Sequence, residues 1–447
     1  MGTLQKVQAA ISSKVAIKDA IESKGVVVGN IPFNEYAGKI EEIGGEEEYL
    51  DDVIFIDYDG TVVYRYTAQA FLELTELPDN PTHEGLTSQG WNWTLAEAKA
   101  YVTAYGKLTI GQMYVTTDGK TRIFITLEDS NYLSPTFYFY QSVANGVTID
   151  WGDGSTAETT SGTGNKSLTH TYASIGDYVI EITITSGEFR FGNNTVFTSI
   201  FGSSSAYSDA LRKIYLGSGT KNIQGYSFLG CQNFSSITMP NVSYYQNNYS
   251  FNNCGLKAFI YPRGVTNTGY QQFNTCLNLR VFSFCGNQSG TYYNNLLSAC
   301  HRLTRIELPI GEYQQVGVIS ECTYIKSVVF PEGITKIQQN NAHKIEREMR
   351  IPNSVTEIAN QAFSQSFNLR KLFIGSGITT IGTYNFSGSQ LLEEIHIYAT
   401  TPPTIQTTTF PTSWNPVIYV PQGKLSAYQT ATNWSAYASY MQEEPTT

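Results

Sequence analysis

The side chains that could do chemistry in this chain are two pairs of aspartates, a few histidines and a regular series of cysteines. Asp57 and Asp59 directly follow an apolar run, and Asp150 and Asp153 precede His170. Carboxylates placed in this way can bind a divalent cation or transfer protons. The five histidines are scattered singly along the chain, which indicates neither a metal site nor a nucleophile triad.

The cysteines are periodic: five of the six lie 22 to 24 residues apart. Regular spacing of this kind indicates a stacked repeat and not a disulfide framework. Neighbouring thiols would lie one coil apart with no histidine between them, so a zinc site is not expected. We predict a ladder of buried, reduced thiols, with Cys285 as a lone thiol outside it. The ladder consists of Cys231, Cys254, Cys276, Cys300 and Cys322.

The residues around these cysteines repeat as well, with the pattern L-x-x-I-x-L-P-x-x-x-x-x-I-x-x-x-x-F-x-x-C. In one copy Leu211, Ile214 and Leu216 alternate toward one side, as in a short strand. Ile223 and Phe228 form a second apolar row on the returning segment. One coil cannot bury both rows, whereas stacked coils bury them continuously.

This pattern resembles the leucine-rich repeats of BspA-type proteins, which usually occur on secreted or surface proteins. The resemblance implies a solenoid over residues 187–405, closed by a capping segment at 406–447. In the cap, Trp434 and the Leu425–Tyr428 pair are expected to cover the last coil.

Residues 128–186 have a different pattern. The sequences D-W-G-D-G at 150–154 and H-T-Y at 170–172 resemble the two motifs of the polycystic-kidney-disease (PKD) β-sandwich. In that family these residues are structural. Asp150, Asp153 and His170 are therefore expected to hold turns and not a metal or a substrate.

The sequence D-Y-D-G-T at 57–61 resembles the first motif of haloacid-dehalogenase-type phosphotransferases. There the first aspartate is the nucleophile and the second is a general acid/base beside Mg²⁺. The alternative is a β-hairpin around an Asp-Gly turn. The hairpin is favoured because a strand-like TVVYRYT follows at once, where the enzyme needs a loop and a helix. A second Asp-Gly hairpin is expected at Asp118-Gly119. We therefore predict no catalytic residue, no metal and no cofactor.

Composition indicates a mainly β, multi-domain protein, because 31 tyrosines and 38 glycines favour strands and turns. With 28 basic and 38 acidic residues the formal charge is −10, and no basic run is present. Nucleic acid and anionic membrane surfaces are therefore not expected as partners. No apolar window is long enough to predict membrane insertion, and Met1–Val15 lacks the apolar centre of a secretory signal.

The N-terminal half supplies two further segments. Residues 1–45 are predicted to form short amphipathic helices. Such a segment is too small to fold alone, so we expect it to attach to another chain or to mediate homo-oligomerisation. Residues 46–127 contain hairpins and one helix. The stretch 14–127 resembles segments of tail and virion proteins of tailed bacteriophages, which implies contacts between the N-terminus and other virion proteins.

The helix within this second segment has clear boundary signals. Thr94 is a plausible N-cap and Glu97 completes a capping box for a helix over Leu95–Tyr105. Trp91 and Trp93 precede it, and we expect them to pack in a core; a ligand platform is the alternative.

Taken together, these patterns predict a non-enzymatic phage tail-associated adhesin or receptor-binding protein. It would be assembled in the host cytoplasm, carried on the virion, and present the solenoid to a bacterial host surface. The absence of an export signal and the reduced cysteines favour this hypothesis. The first alternative is a cell-surface or secreted bacterial adhesin of BspA type, and the second is the D-x-D-G-T phosphatase.

One repeat position is unusually rich in tyrosine, asparagine and glutamine, and equal positions of a solenoid line up along one face. Phenol rings and side-chain amides suit a surface glycan or a protein loop. The alternative is that these are merely exposed loop residues. The predicted binding residues are Tyr226, Tyr245, Asn247, Tyr249, Tyr270, Gln272, Tyr292, Tyr293, Asn295, Tyr313, Gln315, Gln339 and Tyr384. The strand face of the solenoid is chemically mixed and offers no coherent ligand.

Overall fold

The computed structural model places Asp52–Thr447 in one compact unit. The described residues are 51–192, 199–240, 248–263, 269–285, 291–292, 296–310, 312–313, 319–320, 322, 325–337, 346–364, 366–411 and 415–445. The predicted attachment segment 1–45 lies outside them. The described part is mainly β, as the composition predicts.

The first part of the unit is a small sheet with two helices, here called the front module (residues 52–116). Its strands follow the order β2-β1-β4-β3, with β1 and β4 parallel. The D-Y-D-G-T sequence forms the predicted turn between β1 and β2, and Asp57 N donates to Thr61 O at 2.8 Å. The elements are β1 Val53–Ile56, β2 Val62–Tyr66, α1 Ala68–Leu72, β3 Leu86–Trp91, α2 Leu95–Tyr105 and β4 Leu108–Thr116.

Helix α2 has the bounds that the sequence predicts. Thr94 and Glu97 form the reciprocal capping box, and Gly106 ends the helix in a left-handed conformation at φ 78°. Trp91 and Trp93 are buried in the core of the front module. The prediction that they pack in a core is confirmed.

Residues 121–191 form two facing sheets. The elements are β5 Thr121–Leu127, β6 Thr136–Gln141, β7 Val147–Asp150, β8 Glu158–Thr159, β9 Gly164–Thr169, β10 Gly176–Ile184 and β11 Phe189–Phe191. The predicted second hairpin is wrong. Gly119 N does close a turn on Thr116 O, but β4 stays in the front module while β5 pairs with β10. The boundary predicted after residue 127 therefore lies at the C-terminal end of β5, a strand that already belongs to the sandwich.

Both sandwich sheets continue into the first coil of the solenoid. On one side β5 pairs antiparallel with β12 (Leu211–Tyr215), and on the other β11 pairs parallel with β13 (Thr220–Ile223). One hydrophobic core runs without a break from Ile123 to Met441. The sandwich therefore closes the N-terminal end of the solenoid, and no separate domain boundary lies at residue 186.

The solenoid consists of short parallel strands joined by turns. Its elements are β12 Leu211–Tyr215, β13 Thr220–Ile223, β14 Ser236–Ile237, β15 Ala258–Ile260, β16 Val281–Ser283, β17 Thr291–Tyr292, β18 Leu297–Ser298, β19 Arg305–Glu307, β20 Glu312–Tyr313, β21 Ile319–Ser320, β22 Ser327–Val329, β23 Lys336–Ile337, β24 Glu346–Ile351, β25 Glu357–Ile358, β26 Asn368–Ile374, β27 Thr380–Ile381 and β28 Glu394–Ile397. Helix α3, Ser205–Ser208, precedes them.

Side chains at the same repeat position stack along the interior. Phe251 and Phe273 stack with ring centroids 5.1 Å apart, and the predicted cysteines are free and buried. Burial raises the pKa of the Cys231 thiol, because the interior disfavours the thiolate. The Cys300 thiol donates to Phe273 O, one coil back, at 3.0 Å. The reduced ladder is confirmed.

A cap closes the C-terminal end, as the resemblance implies. Trp434 is fully buried and its indole N–H donates to Pro403 O at 2.7 Å, while Tyr428 donates to Ala399 O at 2.7 Å. The cap consists of β29 Val417–Val420, α4 Leu425–Thr430, a 3₁₀ helix Trp434–Tyr440 and β30 Met441–Glu443.

Candidate binding surfaces

The predicted tyrosine face begins where each coil turns back after its second strand. Tyr226, Tyr249 and Tyr384 adopt left-handed backbone conformations, with φ of 65°, 60° and 55°. This conformation costs a non-glycine residue roughly 1–2 kcal/mol. It is held by the neighbouring coil, since Tyr226 N donates to Asn248 O and Tyr249 N to Tyr270 O.

The rings of this position line up from coil to coil. Those of Tyr226 and Tyr249 stack with centroids 5.1 Å apart and an interplanar angle of 12°. Tyr270 meets Tyr249 edge-on at 5.8 Å, and Tyr384 is 47% exposed. Partial burial and the neighbouring phenols raise the pKa of Tyr249, so the ring is neutral at physiological pH. Here "tyrosine column" means Tyr226, Tyr249, Tyr270 and Tyr384.

Gln272 does not belong to this face. It is 1% exposed, and its side-chain oxygen accepts a hydrogen bond from the Tyr261 hydroxyl. The equivalent amide of Asn385 is also fully buried and donates to Ala359 O at 2.8 Å. The composition of the segment misled the prediction: tyrosines point outward, whereas these amides satisfy backbone groups of the coil interior.

The remaining predicted residues are described in part or not at all. Tyr292 and Tyr313 are backbone partners in adjacent coils, which agrees with the predicted alignment. Six predicted residues lie outside the described residues: Tyr245, Asn247, Tyr293, Asn295, Gln315 and Gln339.

The sequence reasoning missed the role of the strand face. Much of it is covered by the front module of the same chain. The buried Asn92 amide donates to Tyr261 O at 3.1 Å, to Ser283 Oγ at 3.0 Å and to Phe284 O at 3.1 Å. Tyr101 reaches further along the solenoid and donates to Leu308 O at 2.6 Å. No local pattern shows this contact, because the partners are more than 150 residues apart in the chain.

A buried ion pair lies under the same contact. Arg305 and Glu307 are 0% and 4% exposed, and their side chains approach to 2.7 Å. Arg305 also donates to Asp52 O at 3.2 Å. Burial and the nearby Arg305 lower the pKa of Lys107, which belongs to the front module. These charges are shielded from solvent by the docked module, so the contact is a permanent part of the fold.

The strand face is uncovered in the last coils. There Arg350 lies over the ring of Phe373, with its Cζ 3.9 Å from the centroid. Phe373, His396 and Tyr419 form a stack with centroid distances of 4.6 Å and 4.4 Å. Both faces of Phe373 and His396 are covered by their neighbours in this stack.

The side chains of both aspartate pairs form hydrogen bonds within the fold. Asp57 is 4% exposed and its carboxylate contacts His83 Nε2 at 2.6 Å, between the rings of Tyr58 and Tyr114. Burial raises the pKa of both tyrosines, the opposite of activation. Asp59 accepts from Thr61 N at 2.9 Å and shapes the turn.

The second pair lies in the sandwich, where Asp150 accepts from Gly152 N at 3.0 Å. Asp153 bonds Ser155 and lies 2.8 Å from His170, whose ring stacks on Trp151 at 4.7 Å. The bonds from Ser155 and His170 lower the pKa of Asp153 to about 2. The described residues contain no group of three or more His, Cys, Asp and Glu side chains that could hold a metal ion. None of their helices is long and apolar enough to cross a membrane.

The comparisons with known proteins agree with the repeat. The family model of the BspA-type leucine-rich repeat region, in six copies, matches residues 198–319 and 317–421, together half of the chain. The chain therefore belongs to the BspA-type leucine-rich-repeat family. No curated protein sequence matches it.

Three solved structures are similar over about half of the chain. A leucine-rich repeat protein from Bacteroides ovatus has 18% identity, covering 53% of this chain and 68% of that chain, with a TM-score of 0.34. The pneumococcal vaccine antigen PcpA has 14% identity, covering 51% and 76%, with a TM-score of 0.31. A leucine-rich cell surface protein from Faecalibacterium prausnitzii has 15% identity, covering 53% and 93%, with a TM-score of 0.24. All three TM-scores are below 0.5.

Proposed function

We propose that the chain is a non-enzymatic binding protein of a bacterial cell surface, which recognises a surface glycan or a protein loop through the tyrosine column. The observation that carries this proposal is the alignment of the rings of Tyr226, Tyr249 and Tyr270 along neighbouring coils. The left-handed backbone belongs to the turn of the repeat itself, because Gln271 and Gln361 share it at the same repeat position, with φ of 49° and 58°. The aligned phenol rings supply flat contact area that suits a ligand.

Membership of the BspA-type family supports the surface location, because repeats of this type usually occur on secreted or surface proteins. The sequence also predicts a tail-associated adhesin of a phage, on the resemblance of residues 14–127. None of the comparisons bears on that resemblance. The surface adhesin is therefore the function proposed, and detection of the chain in purified virions by mass spectrometry would overturn it in favour of the phage particle.

The experiment is binding of the full chain to candidate bacterial cells. The isolated solenoid is unsuitable, because β5 and β11 of the sandwich complete its first coil. Tyr249→Gly removes the ring and relieves the left-handed strain, so it is expected to abolish binding without lowering the unfolding midpoint. Gln361→Gly is the matched control, since Gln361 occupies the same repeat position with φ 58° and no ring. Cell binding by Tyr249→Gly equal to that of the control would contradict the proposal.

A further inference from the structure

A polar cavity opens beside the first turns of the solenoid. Its volume is about 360 Å³, and its wall includes Ser203, Ser205, Asp209, Gln232 and Asn253. That volume is at the small end of small-molecule sites, which are about 300–1,000 Å³. The cavity can therefore hold one ring-sized polar ligand and not a folded partner.

The floor of the cavity is rigid. Ser199 and Ser208 are 2% and 5% exposed, and their hydroxyls bond each other at 2.9 Å. Ser199 also donates to Gly202 O at 2.8 Å. Because these two hydroxyls are already paired, they fix the shape of the cavity. The groups left to bind a ligand are at its mouth.

The mouth is rich in groups that suit hydroxyl-bearing ligands. Ser203, Ser205 and Gln232 are exposed, and hydroxyls and amides both donate and accept hydrogen bonds. Asp209 Oδ1 accepts from Gln232 N at 3.3 Å. Among the described residues Asp209 Oδ2 has no hydrogen-bond partner, so a carboxylate oxygen remains available to a donor. Leu229 supplies the apolar part of the wall.

The charge of the cavity selects against anions. Among the described residues that line the cavity, Asp209 alone is charged. The guanidinium of Arg212 binds Glu128 at 2.5 Å and the backbone carbonyl of Asp209, and it does not line the cavity. A uronic acid or a phosphate would meet an unpaired carboxylate without a compensating cation, whereas a neutral sugar would offer it hydroxyl donors.

The wall of the cavity includes residues of the same two coils that carry Tyr226 and Tyr249. Leu229 N donates to Tyr226 O at 3.0 Å, and Asn253 lies four residues beyond Tyr249, one coil further on. We infer that the cavity binds a single neutral sugar residue of a glycan whose neighbouring residues cross the rings of Tyr226 and Tyr249. This inference extends the proposed function from a binding face to a ligand class, and it rests on that function.

The test uses the full chain and two sets of probes, followed by calorimetric titration. Neutral methyl glycosides (glucoside, galactoside, mannoside and N-acetylglucosaminide) are compared with methyl glucuronide. At least one neutral glycoside is expected to bind and the glucuronide is not. Ser203→Trp fills the mouth and is expected to weaken binding about tenfold or more. Asp209→Asn keeps the shape and is expected to reduce the preference against the glucuronide. Ser426→Trp, on exposed helix α4, is the matched control.

The outcomes separate this inference from the proposed function. Binding of no neutral glycoside, or equal binding by Ser203→Trp and Ser426→Trp, would overturn the cavity assignment. If cell binding is then still lost in Tyr249→Gly, the proposed function stands without it. If glycosides bind in a manner sensitive to Ser203→Trp while cell binding is indifferent to Tyr249→Gly, the cavity assignment stands and the tyrosine column does not.

Discussion

The contact between the front module and the strand face can be tested at one glycine. A Cβ built at Gly111 would lie 2.5 Å from Cγ2 and 2.6 Å from Cγ1 of Ile260, a solenoid residue that is 3% exposed. Such distances do not occur between packed carbon atoms. Gly111→Ala must therefore displace Ile260 or lift strand β4 from the solenoid.

The magnitude follows from packing. Inserting a methyl group into a filled site costs about 1–3 kcal/mol. Ile260→Ala on its own leaves a cavity and costs about 2–5 kcal/mol. In the double variant the new methyl group occupies part of the space that Ile260 vacates. The cost of the double variant should then be smaller than the sum of the two single costs by roughly 1–3 kcal/mol, as for residues in direct contact.

The assay is equilibrium unfolding in urea for the wild-type chain, both single variants and the double variant. The free energies of unfolding are compared among proteins whose unfolding free energy falls with urea at the same slope. Gly111→Ala combined with Ile395→Ala is the control, because Ile395 is buried in a distant coil and its effect should add within about 0.5 kcal/mol. Additive effects of Gly111→Ala and Ile260→Ala would refute the docking of the front module on this face.

Three further predictions concern charges and hydroxyls in the interior. Burial favours the neutral form of Glu97, but bonds from Arg263 and Thr94 outweigh it and lower the carboxyl pKa from 4.5 to about 2. The stabilisation is present above pH 4.5 and is lost as the pH falls through 2. Glu97→Gln should therefore make the unfolding midpoint less dependent on pH across this range. An unchanged dependence on pH would contradict the role given to the Glu97 carboxylate. The Ser366 hydroxyl is buried with no hydrogen-bond partner among the described residues, at the repeat position of the cysteines, so Ser366→Cys should raise the free energy of unfolding by about 1 kcal/mol in urea titrations. Arg305→Met leaves a buried carboxylate unpaired and should cost about 3–5 kcal/mol, most of it recovered by adding Glu307→Leu; no recovery would show that the ion pair itself is needed.

Local signals in the sequence predicted the local structure well. The capping box at Thr94 and Glu97 gave both ends of α2, because the bonds that start a helix join residues three positions apart. The solenoid followed from its period, since stacked copies must place equal residues side by side. The buried thiols and the capping role of Trp434 follow from the same argument.

Contacts between distant segments were beyond the sequence reasoning. Asp118-Gly119 has the composition of a hairpin turn, yet its two flanking strands join different sheets, because β5 is needed beside β12. The direction of a side chain within a turn was also hidden: Gln272 lies inside the coil and Tyr270 lies at its surface. A tyrosine-rich segment therefore predicts a face, but not which of its polar residues reach solvent.

The position of the free surface follows from what the chain itself covers. The sandwich closes one end of the solenoid, the cap closes the other, and the front module occupies the strand face as far as Val329, which belongs to the core of the module. In the uncovered remainder the rings from Phe373 to Tyr419 cover one another's faces. The described surface that remains consists of the tyrosine column and the polar cavity. Its side chains are aligned from coil to coil and can contact a ligand. We propose recognition there because, within the described part of the chain, no segment covers that side.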